Sequence, residues 1–192
     1  MPEEIEIEYK NLLTKEEFQR LKSRFSLTEG DFSLQKNHYF DTHSNELKEL
    51  HCALRIREKK GRFEFTLKQP AEEGLLETNQ PITEEETRSM LQQGLIPEGE
   101  VADALQNLGI NKNNLRHFGT LSTSRAETGY KDGLMVLDYS FYLNNEDYEL
   151  EYEVKESNKG REIFYNFLES MDIPTRPADN KIKRFLKAAN SN

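Results

Sequence analysis

The regular pattern of the chain begins with the stretch Glu4-Ile-Glu-Ile-Glu-Tyr-Lys10, in which charged and apolar residues alternate. Successive side chains of a β-strand point to opposite faces, so this alternation predicts a strand with one apolar and one ionic face. The same pattern returns near the other end of the sequence as Glu149-Leu-Glu-Tyr-Glu-Val-Lys155. Both stretches therefore predict strands that bury one face and present mostly carboxylates on the other.

Three further predicted strands, residues 53–58, 62–68 and 134–142, divide their side chains in the same way. Arg55 and Arg57 share the ionic face of the first of them. A sheet with helices on one side and water on the other would explain the alternation. It would not explain the sorting by sign, because like charges on one face repel one another unless a ligand compensates them.

The sorted charges favour a pocket that holds a metal ion together with a polyanion. Carboxylates suit Mg²⁺ or Mn²⁺, and arginines suit phosphate oxygens through paired hydrogen bonds. With this many strands, the sheet could close into a barrel with the helices on its apolar outside and the ions inside.

Helices are predicted between the groups of strands. Two capping boxes, Thr14-Lys-Glu-Glu17 and Thr83-Glu-Glu-Glu86, open helices that reach about Phe25 and Gln93. Turns are predicted at Asp132-Gly133 and Asn144-Asn145. Strands and helices do not alternate regularly, which favours an antiparallel α+β fold. The remaining predicted segments are strands at 38–42, 74–79, 117–127 and 147–155 and helices at 100–108, 158–171 and 179–189.

Composition narrows the class of protein. The 192 residues favour a single domain over residues 1–192, and the net charge of −9 argues against a nucleic-acid partner. No apolar run approaches the roughly 20 residues of a membrane-spanning helix, and the acidic start predicts no signal peptide. The single cysteine, Cys52, cannot form an intramolecular disulfide, so we expect a cytoplasmic protein. The four histidines lack the spacing of a zinc site.

Charged motifs follow one another along residues 4–187 in an order that resembles a known family. They are Glu6-Ile-Glu-Tyr-Lys10, Tyr39-Phe-Asp-Thr42, Leu54-Arg-Ile-Arg57, Thr66-Leu-Lys68, Glu77, Arg125, Asp138, Glu151-Tyr-Glu153 and Asn180-Lys-Ile-Lys-Arg184. The chain resembles the CYTH domain family, which is named for class IV adenylate cyclase and thiamine triphosphatase. Its members are also called triphosphate tunnel metalloenzymes. The first motif alone is weak, but the ordered set is specific.

The resemblance implies a closed eight-stranded antiparallel β-barrel, a triphosphate tunnel, with helices packed on the outside. It implies that Mg²⁺ or Mn²⁺ is bound by Glu6, Glu8, Asp138, Glu151 and Glu153. It implies that phosphate oxygens are bound by Lys10, Arg55, Arg57, Lys68, Arg125 and Lys181, with Glu77 in support. Glu6, Glu8 and Lys10 are then the expected catalytic residues, and the group that accepts the proton stays open among Lys10 and the carboxylates.

Several alternatives stay open at this point. Asn180 and Ile182 replace the usual Ser and Tyr of the family, and the carboxylate pair of the last strand is either Glu151/Glu153, which we prefer, or Glu149/Glu151. The favoured function is hydrolysis of inorganic triphosphate, thiamine triphosphate or a nucleoside triphosphate. An adenylate cyclase and a non-catalytic polyphosphate or nucleotide-binding module are the alternatives. We expect a small-molecule partner, no membrane, and a monomer or homodimer.

Overall fold

The computed structural model describes residues 3–190. Met1 and Pro2, which belong to the acidic start of the chain, lie outside the described residues, as do Ser191 and Asn192. The strands are β1 (Glu3–Leu13), β2 (Ser33–Thr42), β3 (Ala53–Lys59), β4 (Arg62–Pro70), β5 (Leu75–Ile82), β6 (Leu115–Tyr130), β7 (Gly133–Tyr142) and β8 (Asn145–Val154). The helices are α1 (Lys15–Arg24), α2 (Glu46–Glu49), α3 (Glu84–Gln93), α4 (Glu100–Asn107), α5 (Ser157–Ser170) and α6 (Lys181–Ala189).

The eight strands form a closed barrel in the order β1-β5-β4-β3-β2-β6-β7-β8. The pairings β1–β8, β2–β3, β3–β4, β4–β5, β6–β7 and β7–β8 are antiparallel, and the helices lie outside the sheet. This confirms the predicted α+β class and the eight-stranded antiparallel barrel. No helix within residues 3–190 is long and apolar enough to cross a membrane.

The chain divides into two compact units, and each has its own apolar core. The first unit comprises the described residues 3–5 and 35–121. Its core forms where α2, α3 and α4 cover the apolar face of β3, β4 and β5. Leu54, Ile56, Phe65 and Leu67, the predicted apolar positions of β3 and β4, are fully buried there.

The second unit comprises residues 6–34 and 122–190. Helices α1 and α5 pack on β8, and the core contains Met135, Leu137, Leu150 and Tyr152 from the apolar faces of β7 and β8. The ring of Tyr152 stacks on Phe164 of α5 at 6.4 Å between centroids. On β3, β4 and β8 the apolar faces predicted from alternation are the faces that the helices cover. On β1 and β7 the prediction holds in part, because Ile5 and Phe141 of the predicted apolar faces are exposed.

Both predicted capping boxes are confirmed. The Thr14 hydroxyl accepts a hydrogen bond from the Glu17 amide, and the Glu17 carboxylate accepts one from the Thr14 amide. Thr83 and Glu86 make the same reciprocal pair at the start of α3, and α3 ends at Gly94 with φ 69°. A left-handed glycine at that position is a common helix stop.

Three local predictions were displaced. Strand β2 begins at Ser33 rather than His38, and its first half was missed because its buried polar side chains, Gln35 and Asn37, hide the alternation. The β6–β7 turn consists of Lys131 and Asp132 and the β7–β8 turn of Leu143 and Asn144, each one residue earlier than predicted. Leu143 and Asn144 are both at positive φ. Pairing register is set by burial of one strand face, and here it overrides the preference of leucine against a left-handed backbone.

Candidate active site: charged side chains on the barrel strands

Three carboxylates of the second unit form a buried acidic cluster. Asp138 of β7 lies directly opposite Glu149 of β8, and Glu151 follows two residues later on the same face of β8. One oxygen of each residue lies within 4.8 Å of the others, and the three residues are 0%, 1% and 3% exposed. The site therefore depends on the β7–β8 register, which brings Asp138 beside two carboxylates from a different strand.

Arg125 of β6 neutralises part of this acidic cluster. It lies opposite Asp138 in the β6–β7 pairing and donates to it twice, from Nε to Oδ1 at 2.8 Å and from Nη2 to Oδ2 at 2.6 Å. Its Nη2 also donates to Oε2 of Glu151 at 2.6 Å. A planar guanidinium can serve two carboxylates at once, so one arginine orients both Asp138 and Glu151.

Helix α6 brings a second cation into the acidic cluster. Lys181 Nζ lies 2.7 Å from Oδ2 of Asp138, 2.7 Å from Oε1 of Glu149, and also contacts Glu151. The Asn180 side chain caps the helix and accepts from the Lys183 amide, which places Lys181 in the first turn. The ammonium group is therefore surrounded by the carboxylates of the acidic cluster.

Arg184 follows one turn later in α6 and contacts Glu149, with its Nε 3.1 Å from Oδ2 of Asp147. Residues three apart on a helix lie on the same side, which explains why both Lys181 and Arg184 reach β8. Phe185 packs against Tyr142 with 6.0 Å between ring centroids, and it anchors α6 to the end of β7.

The β1 residues flank the acidic cluster in the β1–β8 pairing. Lys10 lies opposite Glu151, and Glu8 lies opposite Glu153. Lys10 forms an ion pair with Glu8, and Glu153 lies 3.8 Å from Nη1 of Arg125. The Glu153 side chain is 31% exposed, so it sits at the edge of the buried charges.

The direction of the pKa shift differs among the carboxyl groups in and around the acidic cluster. Burial opposes the charge on Asp138 and Glu151, but Arg125 and Lys181 outweigh it and hold the pKa of both carboxyls below the usual range. Burial would likewise lower the pKa of Arg125 and Lys181, yet the carboxylates raise both well above their ordinary values. These four groups are therefore ionised at neutral pH.

Glu149 behaves differently. Burial, reinforced by Glu151, raises its pKa to about 7 although Lys181 and Arg184 oppose the shift. Burial also raises the pKa of Glu153, against the effect of Arg125. For these two carboxyls the nearby cations therefore do not fully offset the effect of burial. An additional cation would lower their pKa and favour their ionised forms.

The first unit presents the other set of predicted residues. Arg55 lies opposite Thr66, and Lys68 lies opposite Glu77, with which it forms an ion pair. Arg57 Nε donates to Oδ1 of Asn37 at 3.3 Å. Arg55 Nε is buried and makes no hydrogen bond to any of residues 3–190. A buried donor without an acceptor is costly, so this guanidinium marks a place for an anionic ligand.

The structure gathers some predicted residues and leaves others apart. Asp138, Glu151, Arg125 and Lys181 meet in the acidic cluster, whereas Glu6, Glu8 and Glu153 are not members of it. Two charged residues outside the predicted set join it. Glu149, the alternative partner of Glu151, shares its strand face, and Arg184 lies three residues after Lys181 in the last motif.

The acidic cluster has the donor chemistry of a hard divalent cation. Its oxygens are all carboxylate oxygens, which Mg²⁺ and Mn²⁺ prefer. A cationic group, the Lys181 ammonium, already contacts all three carboxylates. The residues therefore fit a divalent ion that takes or shares the place of this ammonium.

The fold and the charged strands place the protein in the class of closed antiparallel β-barrels whose strands carry buried carboxylates and cations. Within that class, residues 4–186 match the CYTH domain family, and the chain belongs to this family.

Three relatives show how far the similarity extends. YjbK of Bacillus subtilis (strain 168), provisionally named a triphosphatase, is 51% identical over 185 residues, 96% of each chain. A crystal structure from Bacillus halodurans, provisionally named an adenylate cyclase, is 50% identical with a TM-score of 0.94, over 96% of this chain and 99% of that one. HpAC1 from Hippeastrum, which is provisionally named an adenylyl cyclase and is described as having a dominant triphosphatase activity, shares the fold at 23% identity. Its TM-score is 0.79, over 95% of this chain and 96% of that one.

Proposed function

We propose that the protein is a divalent-metal-dependent triphosphatase that releases orthophosphate from a triphosphate. The observation that carries the proposal is the buried cluster of Asp138, Glu149 and Glu151, which offers only oxygen donors and is held by cations. The provisional name of the 51% identical YjbK supports hydrolysis. The candidate substrates are inorganic triphosphate, thiamine triphosphate and nucleoside triphosphates.

The acidic cluster supplies the metal-binding part of this function. Arg125 orients Asp138 and Glu151 and keeps them ionised, so that their oxygens are available to a cation. A bound divalent ion would neutralise charge on the phosphate oxygens and help activate water. Glu6, Glu8 and Glu153 complete the proposed ligand set, and Lys10 and Lys181 bind phosphate oxygens.

Phosphate binding is the role proposed for the cations of β3 and β4. Arg55 carries a buried donor that lacks an acceptor, and a phosphate oxygen is an acceptor that matches the guanidinium geometry. Arg57 and Lys68 add positive charge on the same face of the β3–β4 pair. Positioning and charge neutralisation account for most of the catalysis of phosphoryl transfer, so these residues need no covalent step.

The test is product analysis on a panel of inorganic triphosphate, thiamine triphosphate, ATP and GTP, each with Mg²⁺, Mn²⁺ or EDTA. We expect orthophosphate release that requires the metal. Pyrophosphate together with a cyclic nucleotide would establish the cyclase instead. Tight triphosphate binding with no turnover would establish a binding module.

Variants separate the two proposed roles, metal binding and phosphate binding. Glu151→Gln should lower kcat by about 100-fold or more, because it replaces an anionic carboxylate of the acidic cluster with a neutral amide. Arg55→Gln should raise KM about tenfold, because it removes a phosphate donor. The exposed variants Glu162→Gln and Arg88→Gln are the matched controls. Unchanged kinetics of Glu151→Gln, with folding verified by circular dichroism, would contradict the metal assignment.

A further inference from the structure

A buried asparagine of β1 fixes the irregular segment between α5 and α6, residues 171–180. Asn11 is 0% exposed, and its side-chain amide makes three hydrogen bonds. Its Nδ2 donates to the carbonyl oxygens of Pro174 at 3.1 Å and of Leu12 at 2.9 Å. Its Oδ1 accepts from the backbone amide of Arg176 at 2.6 Å. The Asn11 side chain therefore binds the segment through both a donor and an acceptor.

Arg176 reinforces this attachment with its backbone and its side chain. Its carbonyl oxygen accepts a hydrogen bond from the Leu12 amide at 3.2 Å. Its guanidinium donates to both carboxylate oxygens of Glu17 in α1, from Nη1 at 2.7 Å and from Nη2 at 3.0 Å. The segment is thus attached to β1 and α1 at a defined place, five residues before Lys181.

Helix α6 buries little of its own surface. It comprises nine residues, all of which the structure describes, and Phe185 is the one that is buried. Helices shorter than about 12–15 residues are marginal by themselves, and packing of an apolar face normally stabilises them in proteins. The position of α6 therefore depends on its ionic contacts with the acidic cluster and on the segment that leads into it.

The two faces of β1 contribute to the same site in different ways. Lys10 lies opposite Glu151 of the acidic cluster in the β1–β8 pairing. Asn11 is the next residue, so its side chain lies on the other face of the strand, where it binds the segment. A shift of this attachment would move Lys181, whose Nζ lies 2.7 Å from oxygens of both Asp138 and Glu149.

We propose that Asn11 is a positioning residue of the candidate active site: it holds residues 174–176 on β1 so that α6 presents Lys181 to the acidic cluster and to the substrate. The kinetic part of this inference rests on the proposed function, because it takes Lys181 as a phosphate-binding residue. Asn11 acts through Lys181, from the face of β1 that is turned away from the acidic cluster. A residue that only stabilised the fold would act independently of Lys181.

The first test measures amide hydrogen exchange by mass spectrometry and does not depend on activity. The variant is Asn11→Ala, and Asn11→Ser, which keeps a hydroxyl group, is the milder second variant should Asn11→Ala fail to fold. The control is Tyr152→Phe, which removes another buried hydrogen bond of the same unit, from the Tyr152 hydroxyl to the Tyr130 carbonyl at 3.0 Å. We expect residues 181–189 to exchange about tenfold faster in the Asn11 variant and at the wild-type rate in the control. Unchanged exchange of α6 in a folded Asn11 variant would overturn the inference.

The second test is a double-mutant cycle on KM for the triphosphate. Asn11→Ala and Lys181→Gln should each raise KM about tenfold, whereas Tyr152→Phe should leave it unchanged. Two substitutions that act through the same contact are not additive, so the double variant Asn11→Ala/Lys181→Gln should stay within about twofold of Lys181→Gln. If the two increases in KM multiply instead, Asn11 does not act through Lys181.

Together the two measurements separate this inference from the proposed function. If the wild type hydrolyses no triphosphate but α6 exchanges faster in the Asn11 variant alone, the proposed function fails and the positioning of α6 by Asn11 stands. If a triphosphate is hydrolysed and the exchange of α6 is unchanged, or the increases in KM multiply, only the positioning role fails.

Discussion

Replacement of Lys181 by glutamine tests the electrostatic balance of the acidic cluster. The Lys181 side chain is only 11% exposed, and its ammonium lies 2.7 Å from oxygens of both Asp138 and Glu149. Removing one member of a buried ion pair typically costs about 3–5 kcal/mol, because the partner charges stay buried. Glu149 has a pKa of about 7 and can take up a proton near neutral pH, which limits the loss. We therefore expect Lys181→Gln to lower the free energy of unfolding by about 3 kcal/mol, the low end of this range.

A divalent cation should reverse part of this loss. The proposed metal ion supplies positive charge to the same oxygens, and in the variant it no longer competes with the ammonium. A ligand present at 100 times its Kd stabilises the folded state by about 2.7 kcal/mol. We therefore expect Mg²⁺ to raise the free energy of unfolding more in Lys181→Gln than in the wild-type protein.

The assay is urea denaturation in EDTA and in Mg²⁺, followed by circular dichroism. Lys183→Gln is the matched control, because Lys183 lies in the same turn of α6, is 59% exposed and pairs with Asp179. Its free energy of unfolding should stay within about 0.5 kcal/mol of the wild type. If Lys181→Gln is no less stable than Lys183→Gln in EDTA, the described role of Lys181 in the acidic cluster is refuted.

Two further predictions concern stability in the second unit. Gly133→Ala should lower the free energy of unfolding, measured by urea denaturation, by about 2 kcal/mol, because its Cβ would lie 2.6 Å from a backbone oxygen. The control Gly129→Ala, whose Cβ has nothing within 4 Å, should leave it unchanged. Equal effects of the two substitutions would contradict this packing. Burial opposes the charge of Glu17, but its hydrogen bonds with Arg176 lower its pKa below 4.5, so the ionised carboxylate stabilises the folded state above that pH. Glu17→Gln should therefore lower the free energy of unfolding by about 1–2 kcal/mol near neutral pH, and by progressively less as the pH falls below 4.5. A loss of stability that is independent of pH would refute the ion pair.

The strands that obey a two-residue alternation were predictable, and those whose two faces are both polar were not. Residues 4–10 and 149–155 are strands as expected, with Tyr152 and Leu150 on the covered face. The first half of β2 was missed because Gln35 and Asn37 are buried polar residues, which composition alone does not distinguish from a loop.

In the candidate site, too, some features were predictable from the sequence and others were not. The sequence places Glu149, Glu151 and Glu153 on one strand face, and this alone does not rank them. The β7–β8 pairing sets Glu149 opposite Asp138 and sets Glu153 opposite Leu134, at the edge of the charges. The choice between the two carboxylate pairs therefore depends on register, which involves a partner strand as well as the strand itself.

The sequence by itself determined the two faces of each strand, the sorting of charge by sign and the family to which the chain belongs. Only the tertiary structure decided which charges meet: Lys181 on a helix, Asp138 on β7 and Glu151 on β8 converge although they are distant along the chain. The physical reason is that alternation is local, because it follows from the geometry of one strand. Burial, ion pairing and the resulting pKa shifts depend instead on segments that meet only when the barrel closes.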